Sequence, residues 1–391
     1  MLRIDYRDAD RRALFIWDES DINAPWLDVF RRLILDSTDD AAQENAYRLS
    51  LPWWNFISLR SQLLDIFKGY QLEPERGLEI SSMAADLLRQ SKRAAEGYSL
   101  AREAKAVDPK ALLAKLGNVR FQRALSPEQV RNVIKISSLP AAATFSVPGA
   151  GKTTEALAMF FYKSTGDDRL LVIAPKNAFA AWDEQLSECM PHLDAKFTRL
   201  RGGIERIEKL LDLDPPFMLI TYQQLARVSD LLAAHCAKYK IYVFLDESHR
   251  IKSGVTKQTA RATLELAHLP IGKLIMSGTP MPQSVADLIP QFIFLYPEIP
   301  ASVETVVELM RPVYVRTNKK ELNLPPLRRI LVPLPMAPLQ HELYKLMKFE
   351  VAREAATALT LQNKQAFRSL GRSVARLMQL VSNPALLSSP T

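Results

Sequence analysis

The feature that most constrains this 391-residue chain is the run Ser146-Val147-Pro148-Gly149-Ala150-Gly151-Lys152-Thr153. A short apolar stretch, Ala141–Val147, leads into it, and a helix-forming stretch over 152–163 follows. Glycines are needed where a backbone wraps a phosphate and turns its N–H groups inward. A lysine then reaches the β- and γ-phosphates, and a hydroxyl binds Mg²⁺. Gly149, Gly151, Lys152 and Thr153 supply these groups. The following helix offers its positive N-terminal end to the same anion. Ser146 stands where the usual G-x-x-x-x-G-K-[ST] pattern has its first glycine. The strand–loop–helix context is the one the motif requires, so the run reads as a phosphate site rather than an incidental turn.

Such a loop needs a sheet around it. Strands predicted at 170–174, 217–220, 241–245 and 273–276 alternate with helices near 177–189, 222–236 and 256–267. That alternation predicts an α/β fold: a doubly wound parallel sheet covered on both faces. The strand Tyr242–Leu245 runs into Asp246 and Glu247, which places two carboxylates at the carboxyl edge. Ligands of open α/β sheets bind at that edge. Asp246 is suited to hold Mg²⁺ through water. Glu247 is suited to orient or deprotonate an attacking water. Ser277-Gly278-Thr279-Pro280 ends another strand and brings hydroxyls toward the Asp-Glu pair, although alone such a tetrapeptide is a turn.

The flanking regions read differently. Residues 1–112 are expected to form a mostly helical α+β accessory domain, 113–322 the sheet domain, and 323–391 a Pro-rich connection with a helical extension. Leu2–Tyr6 and Ala13–Trp17 suggest a hairpin, and Trp26, Val29, Phe30, Leu33 and Ile34 share one helical face. More helix is predicted over 55–70 and 78–106, with a boundary at Val107-Asp108-Pro109. Trp53–Trp54 has two readings, base stacking and core packing, and core packing weighs more. Pro325, Pro326, Pro333, Pro335 and Pro338 mark the connection, and helices follow at about 338–357 and 361–381. Phe367, Leu370, Val374, Leu377 and Val381 form an apolar stripe on the second of these.

The formal charge of +8 is concentrated at one end: Arg311–Thr391 holds thirteen Lys and Arg against four Asp and Glu. Such a tract attracts nucleic acid phosphates, or is simply a solvated helix face. With 48% hydrophobic and 24% charged residues, a largely disordered or collagen-like chain is excluded. Cys189 and Cys236 make neither a disulfide framework nor a C-x-x-C zinc site, and the five histidines do not cluster. No apolar run is long enough for a membrane span. No leader precedes residue 25, so a reducing cytoplasm is the expected setting, with nucleoid association in a bacterium.

Together these motifs resemble the Swi/Snf-type, DEAH-like motors of helicase superfamily two, through their N-terminal RecA-like lobe. Pro148–Thr154 is similar to motif I, which implies nucleotide contacts from Pro148, Gly149, Ala150, Gly151, Lys152, Thr153 and Thr154. Leu125–Gln129 resembles the upstream glutamine motif, implying that Gln129 contacts adenine. Asp246-Glu247-Ser248-His249-Arg250-Ile251-Lys252 resembles D-E-A-H-R-I-K, with Ser248 replacing alanine. Ser277–Pro280 matches S-G-T-P, which implies that His249, Ser277 and Thr279 couple hydrolysis to movement. Ala174-Pro175-Lys176-Asn177, with Trp182 and Glu184, and Ile220-Thr221-Tyr222 look like the DNA-facing motifs, so Lys176, Asn177, Thr221, Tyr222 and Lys252 are the implied DNA contacts. Arg316-Thr317-Asn318-Lys319 with Leu324-Pro325, Gln340 with Tyr344, and Asn383-Pro384 resemble the later motifs, the last without the family's histidine.

The resemblance covers about residues 121–391 and implies an ATP- and Mg²⁺-dependent DNA translocase on duplex DNA, without sequence preference. Family members need a second RecA-like lobe, which supplies catalytic arginines. No second alternation of strands and helices follows residue 282, so the expectation is a first lobe that hydrolyses ATP only with a second lobe or its equivalent. A protein partner through 1–112 is a further expectation. The alternative reading is a nucleotide-responsive DNA- or protein-binding module without turnover of its own. A small-molecule kinase or GTPase fits less well, because no N-K-x-D run is present.

Overall fold

The computed structural model describes all residues except 39–40, 75–76, 102–107, 323–329, 362–363 and 388–391. Two compact units result, Met1–Leu324 and Pro325–Thr391. The first carries two sheets. β1 (Leu2–Arg7) and β2 (Arg12–Ile16) form an antiparallel hairpin in which Ile4 faces Phe15 and Tyr6 faces Ala13, all four buried. This is the two-residue alternation of a half-buried strand. α1 (Pro25–Ser37) begins with proline at its first helical position and buries Trp26, Leu27, Phe30 and Ile34. Val29, expected on that face, is exposed, and Leu27 takes the inward place. β3 (Ala42–Asn45), β4 (Arg48–Pro52), α2 (Trp53–Gly69), β5 (Glu73–Pro74), β6 (Gly77–Ile80) and α3 (Ser82–Ala101) follow. The sheet order is β3-β4-β2-β1-β6-β5. Residues 102–106 of the predicted helix, and Val107 at the expected boundary, lie outside the described residues.

The tryptophan pair resolves as core. Trp53 is fully buried and meets Tyr6 and Phe56 edge-on at 5.0 and 4.9 Å between ring centres. Trp54 joins the hydrophobic core of the second sheet. Neither ring has a free face for a base.

The second sheet follows α4 (Pro109–Asn118) and α5 (Pro127–Ser137). Its elements are β7 (Ala141–Thr144), α6 (Lys152–Lys163), β8 (Arg169–Ile173), α7 (Phe179–Cys189), β9 (Thr198–Arg199), α8 (Ile204–Asp212) and β10 (Phe217–Ile220). After these come α9 (Tyr222–Leu225), α10 (Ser229–Lys238), β11 (Ile241–Asp246), α11 (Gln258–Glu265), β12 (Gly272–Met276), α12 (Ile289–Leu295), α13 (Val306–Met310) and β13 (Tyr314–Val315). The strand order is β13-β7-β12-β11-β8-β10-β9, and every pairing is parallel. This is the RecA-like α/β sheet that the phosphate loop called for. Its inner strands are predominantly apolar, as burial on both faces favours, with Thr144 and Lys273 as buried polar exceptions. The helix predicted over 222–236 is two helices, broken at 226–228.

Polar contacts join the two sheets within this unit. Arg11, only 4% exposed, donates to Asp230 at 2.8 Å and Glu265 at 2.9 Å. The Tyr98 hydroxyl donates to the Leu309 carbonyl at 2.8 Å, with its ring against Phe292 and Tyr296. The Tyr6 hydroxyl lies 3.0 Å from His268 Nε2. Burial, with Arg11 and Lys273 nearby, pushes the His268 imidazole down to about 3. An unfolded histidine titrates near 6.5, so neutral His268 supports the fold fully above about pH 6.5. That support is lost as pH falls from there toward 3. The melting temperature should therefore drop between pH 7.5 and 5.5 in thermal scans, and His268→Gln should flatten that slope.

The second unit pairs α14 (Pro338–Leu361) with α15 (Lys364–Ser382). Gln340 Nε2 donates to the Leu380 carbonyl at 2.7 Å. Ala358 and Leu380 are enclosed, whereas Phe367, Val374 and Val381 of the expected packing stripe are exposed. Leu324, Pro325 and Pro326 lie outside the described residues. No described helix is long and apolar enough to cross a membrane.

Candidate nucleotide site and adjoining groove

Strand order decides which loops meet at the carboxyl edge. β12 lies between β7 and β11, so the loops after these three strands are neighbours. They are the phosphate loop, the Ser277–Pro280 loop and the Asp246-Glu247 turn. A Cβ on Gly278 would sit 3.1 Å from Pro148 Cδ, so the first two loops touch.

In the phosphate loop, Gly149 and Gly151 have φ of +85° and +80°. An L side chain there costs about 1–2 kcal/mol. Gly151 also allows a close approach, since a Cβ would lie 2.2 Å from Gln129 Nε2. Gln129 caps α5 with Ser126 and donates from Nε2 to the Ala150 carbonyl at 3.3 Å. Lys152 opens α6, and its Nζ donates to the Ser146 and Val147 carbonyls at 3.0 and 3.5 Å. Pro148 and Gly149 are exposed, and Ala150 is buried. Thr153 is half-buried beside the loop. Thr154, expected among the nucleotide contacts, is instead 1% exposed and donates its hydroxyl inward to Gln185 Oε1 at 2.7 Å. Its hydroxyl oxygen still lies close to the loop, 3.8 Å from where a Cβ on Gly151 would sit.

Asp246 ends β11 and is held on three sides. Its Oδ2 accepts from Trp182 Nε1 at 3.0 Å, its Oδ1 from the Glu247 N–H at 3.0 Å, and its carbonyl from the Tyr222 hydroxyl at 2.9 Å. Burial raises the Asp246 carboxyl above the usual carboxylate range, against the Trp182 hydrogen bond and the Lys152 charge, which lower it. The Thr153 hydroxyl and the Asp246 carboxylate are hard oxygen donors, the class Mg²⁺ takes.

Glu247 adopts φ +52°, a left-handed conformation in a non-glycine residue. Such strain gathers at functional sites. Its Oε2 lies 3.3 Å from His249 Nδ1, and that nitrogen lies 3.0 Å from Ser277 Oγ. Ser277 Oγ also accepts from the Thr279 N–H at 3.1 Å, and the Thr279 side chain is exposed. Ser248, the substitution in the D-E-A-H-R-I-K pattern, is fully buried and donates to Gln291 Oε1 at 2.7 Å. Gln291 Nε2 donates to the Pro280 carbonyl at 2.7 Å. Two routes thus join the carboxylate turn to the Ser277–Pro280 loop.

The ends of β8 and β10 are also neighbours. Pro175, Lys176, Asn177, Thr221, Gln223 and Arg250 line an open groove there. Lys176, Asn177 and Thr221 are therefore brought together. Tyr222, expected as a DNA contact, is 2% exposed and spent on Asp246, so it is no part of the rim. Lys252 is half-buried and not among the groove's lining residues. Trp182, grouped by its motif with a DNA-facing segment, is fully buried behind Asp246. Arg250 and Gln223 went unassigned. The signal for Arg250 was its place after His249, where the short helix 248–251 turns it outward.

Residues 145–308 match the SNF2-related domain family. It is 26% identical over 244 residues to the chromatin-remodeling ATPase INO80 of Cryptococcus neoformans, covering 58% of this chain and 14% of that protein. It is 25% identical over 225 residues to the ISWI chromatin-remodeling complex ATPase CHR11 of Arabidopsis thaliana, covering 50% of this chain and 21% of that one. The chain thus spans about a fifth or less of these relatives. The Pyrococcus furiosus Hef helicase domain superposes over 71% of this chain and 56% of that one, with a TM-score of 0.40 and 12% identity.

Proposed function

We propose that this chain is the ATP-binding first lobe of an SNF2-type motor that moves on DNA, and that by itself it hydrolyses ATP only at a residual rate, full turnover needing a second lobe. The observation that carries the reading is the adjacency of the phosphate loop and the Asp246-Glu247 turn across β12, with His249 bonded to Ser277 between them. Lys152 and the loop N–H groups would hold the β- and γ-phosphates. Thr153 and Asp246 would hold Mg²⁺, which offsets phosphate charge. Glu247 would accept a proton from, or orient, the attacking water. His249 and Ser277 would pass the state of that carboxylate to the Ser277–Pro280 loop. The arginines that stabilise phosphoryl transfer would come from that second lobe. Turnover rising in proportion to chain concentration, at rates typical of complete ATPases, would remove the lobe-dependent part of the proposal.

The groove is proposed to take the DNA backbone, with Lys176 and Arg250 as phosphate contacts and Asn177 and Thr221 beside them. Each lysine or arginine lost should flatten the dependence of log K on log salt by about 0.9. The double variant Lys176→Ala/Arg250→Ala should therefore lower the slope for duplex DNA by about 1.8 and weaken binding similarly for every sequence. An unchanged slope in anisotropy titrations would move the DNA elsewhere. A nucleotide-responsive binding module without turnover is the second reading, and the same titrations with and without Mg·ATP serve it.

A further inference from the structure

A second set of polar side chains lies beneath the phosphate loop, and the nucleotide reading does not use it. Asn132, Thr144, Ser146, Glu155 and Thr317 are each 0–1% exposed. They come from α5, β7, the loop, α6 and the segment after β13. Asn132 Nδ2 donates to Glu155 Oε1 at 2.8 Å and to Thr317 Oγ1 at 2.9 Å. Thr144 Oγ1 lies 3.1 Å from Glu155 Oε2 and 3.2 Å from Ser146 Oγ. Ser146 Oγ accepts from the Thr317 N–H at 2.9 Å, and the Val147 N–H donates to the Thr317 carbonyl at 3.1 Å. The loop is thus bonded directly to residue 317.

This accounts for the serine at the position where the motif has glycine. A glycine has no oxygen for the Thr317 N–H, and a buried donor without a partner is costly. α5 holds both sides of the junction. Its Gln129 bonds the loop at Ala150, its Asn132 bonds Thr317, and its Arg131 pairs with Glu321 at 2.7 Å and donates to the Arg316 carbonyl at 3.4 Å.

We infer that Ser146 and Thr317 are positioning residues for the nucleotide site, forming a latch that ties the phosphate loop to residues 314–321, so that a loop shifted by nucleotide shifts this exit segment as well. The inference rests on the nucleotide reading above. It adds that the sensing path runs through β13, on the far side of β7 from the His249–Ser277 contact.

Thr317→Val removes the hydroxyl that Asn132 binds and keeps the volume. It should weaken Mg·ATPγS binding about three- to tenfold, the worth of one hydrogen bond, and Thr317→Ser should restore it. Hydrogen exchange on the unmodified chain gives a second readout: Mg·ATPγS should alter protection in 314–321 as well as in 146–153. In Ser146→Ala, which keeps the Val147–Thr317 backbone bond but loses the Thr317 N–H bond to Oγ, the 314–321 response should shrink relative to the 146–153 response. Equal affinity for Thr317→Val and the unmodified chain, failure of Thr317→Ser to rescue, or exchange in 314–321 indifferent to nucleotide would each overturn the latch. If the unmodified chain binds and Lys152→Ala does not, the nucleotide reading stands whatever the latch variants show. If the unmodified chain binds no nucleotide, both fall.

Discussion

Glu247→Gln should lower single-turnover ATP hydrolysis by about two to four orders of magnitude, the usual worth of a general base. Mg·ATP affinity should stay within about twofold, because glutamine keeps the shape and loses only the proton acceptor. Chain in large excess over radiolabelled ATP makes even slow hydrolysis measurable. The expectation comes from geometry. Glu247 stands at the exposed end of β11 in a strained left-handed turn, with Oε2 against His249 rather than tied into the core. A purely structural Glu247 would behave differently, losing melting temperature and affinity together while the rate constant for bound ATP stayed put. Turnover unchanged in Glu247→Gln would assign the water to another group.

Lys152→Ala is the other large effect. Its ammonium reaches across the loop to the Ser146 and Val147 carbonyls, at the place where phosphate oxygens would replace them. Charge-assisted hydrogen bonds contribute about 1.5–3 kcal/mol. The dissociation constant for Mg·ATPγS should therefore rise about ten- to a hundredfold. Circular dichroism and the melting curve should stay close to those of the unmodified chain, since Lys152 is half-exposed. Equal affinity in the two proteins would detach the loop from nucleotide binding.

Legibility followed the physics of each signal. The strands β7, β8, β10, β11 and β12 were readable because parallel strands buried on both faces are short apolar runs between helices. The phosphate loop was readable because its glycines and lysine answer to a ligand. What stayed hidden depended on pairing across the chain. β13 is a two-residue ladder, Tyr314–Val315, whose strand character comes only from lying beside β7. Thr317 and Asn132 look like ordinary polar residues until β13 brings one beneath the loop and α5 the other. Tyr222 and Trp182 were placed by their motifs at a DNA rim, but both reach inward to Asp246, so motif membership located the segment and not the side-chain direction. Leu27 rather than Val29 faces inward because a helix's facing is set by what it packs on, which periodicity alone does not fix. Arg250 lines the groove and Lys252 does not, although the two share one motif.

The central claim is that the loop from Ser146 to Thr153 and the Asp246-Glu247 turn form one Mg·nucleotide site. Calorimetric titration of ATPγS into the unmodified chain, with and without Mg²⁺, tests it most directly. The account predicts saturable binding with one nucleotide per chain, weakened when Mg²⁺ is withheld and weakened again, at fixed Mg²⁺, by Asp246→Asn. Absence of saturable heat, or binding indifferent to both Mg²⁺ and Asp246→Asn, would contradict it.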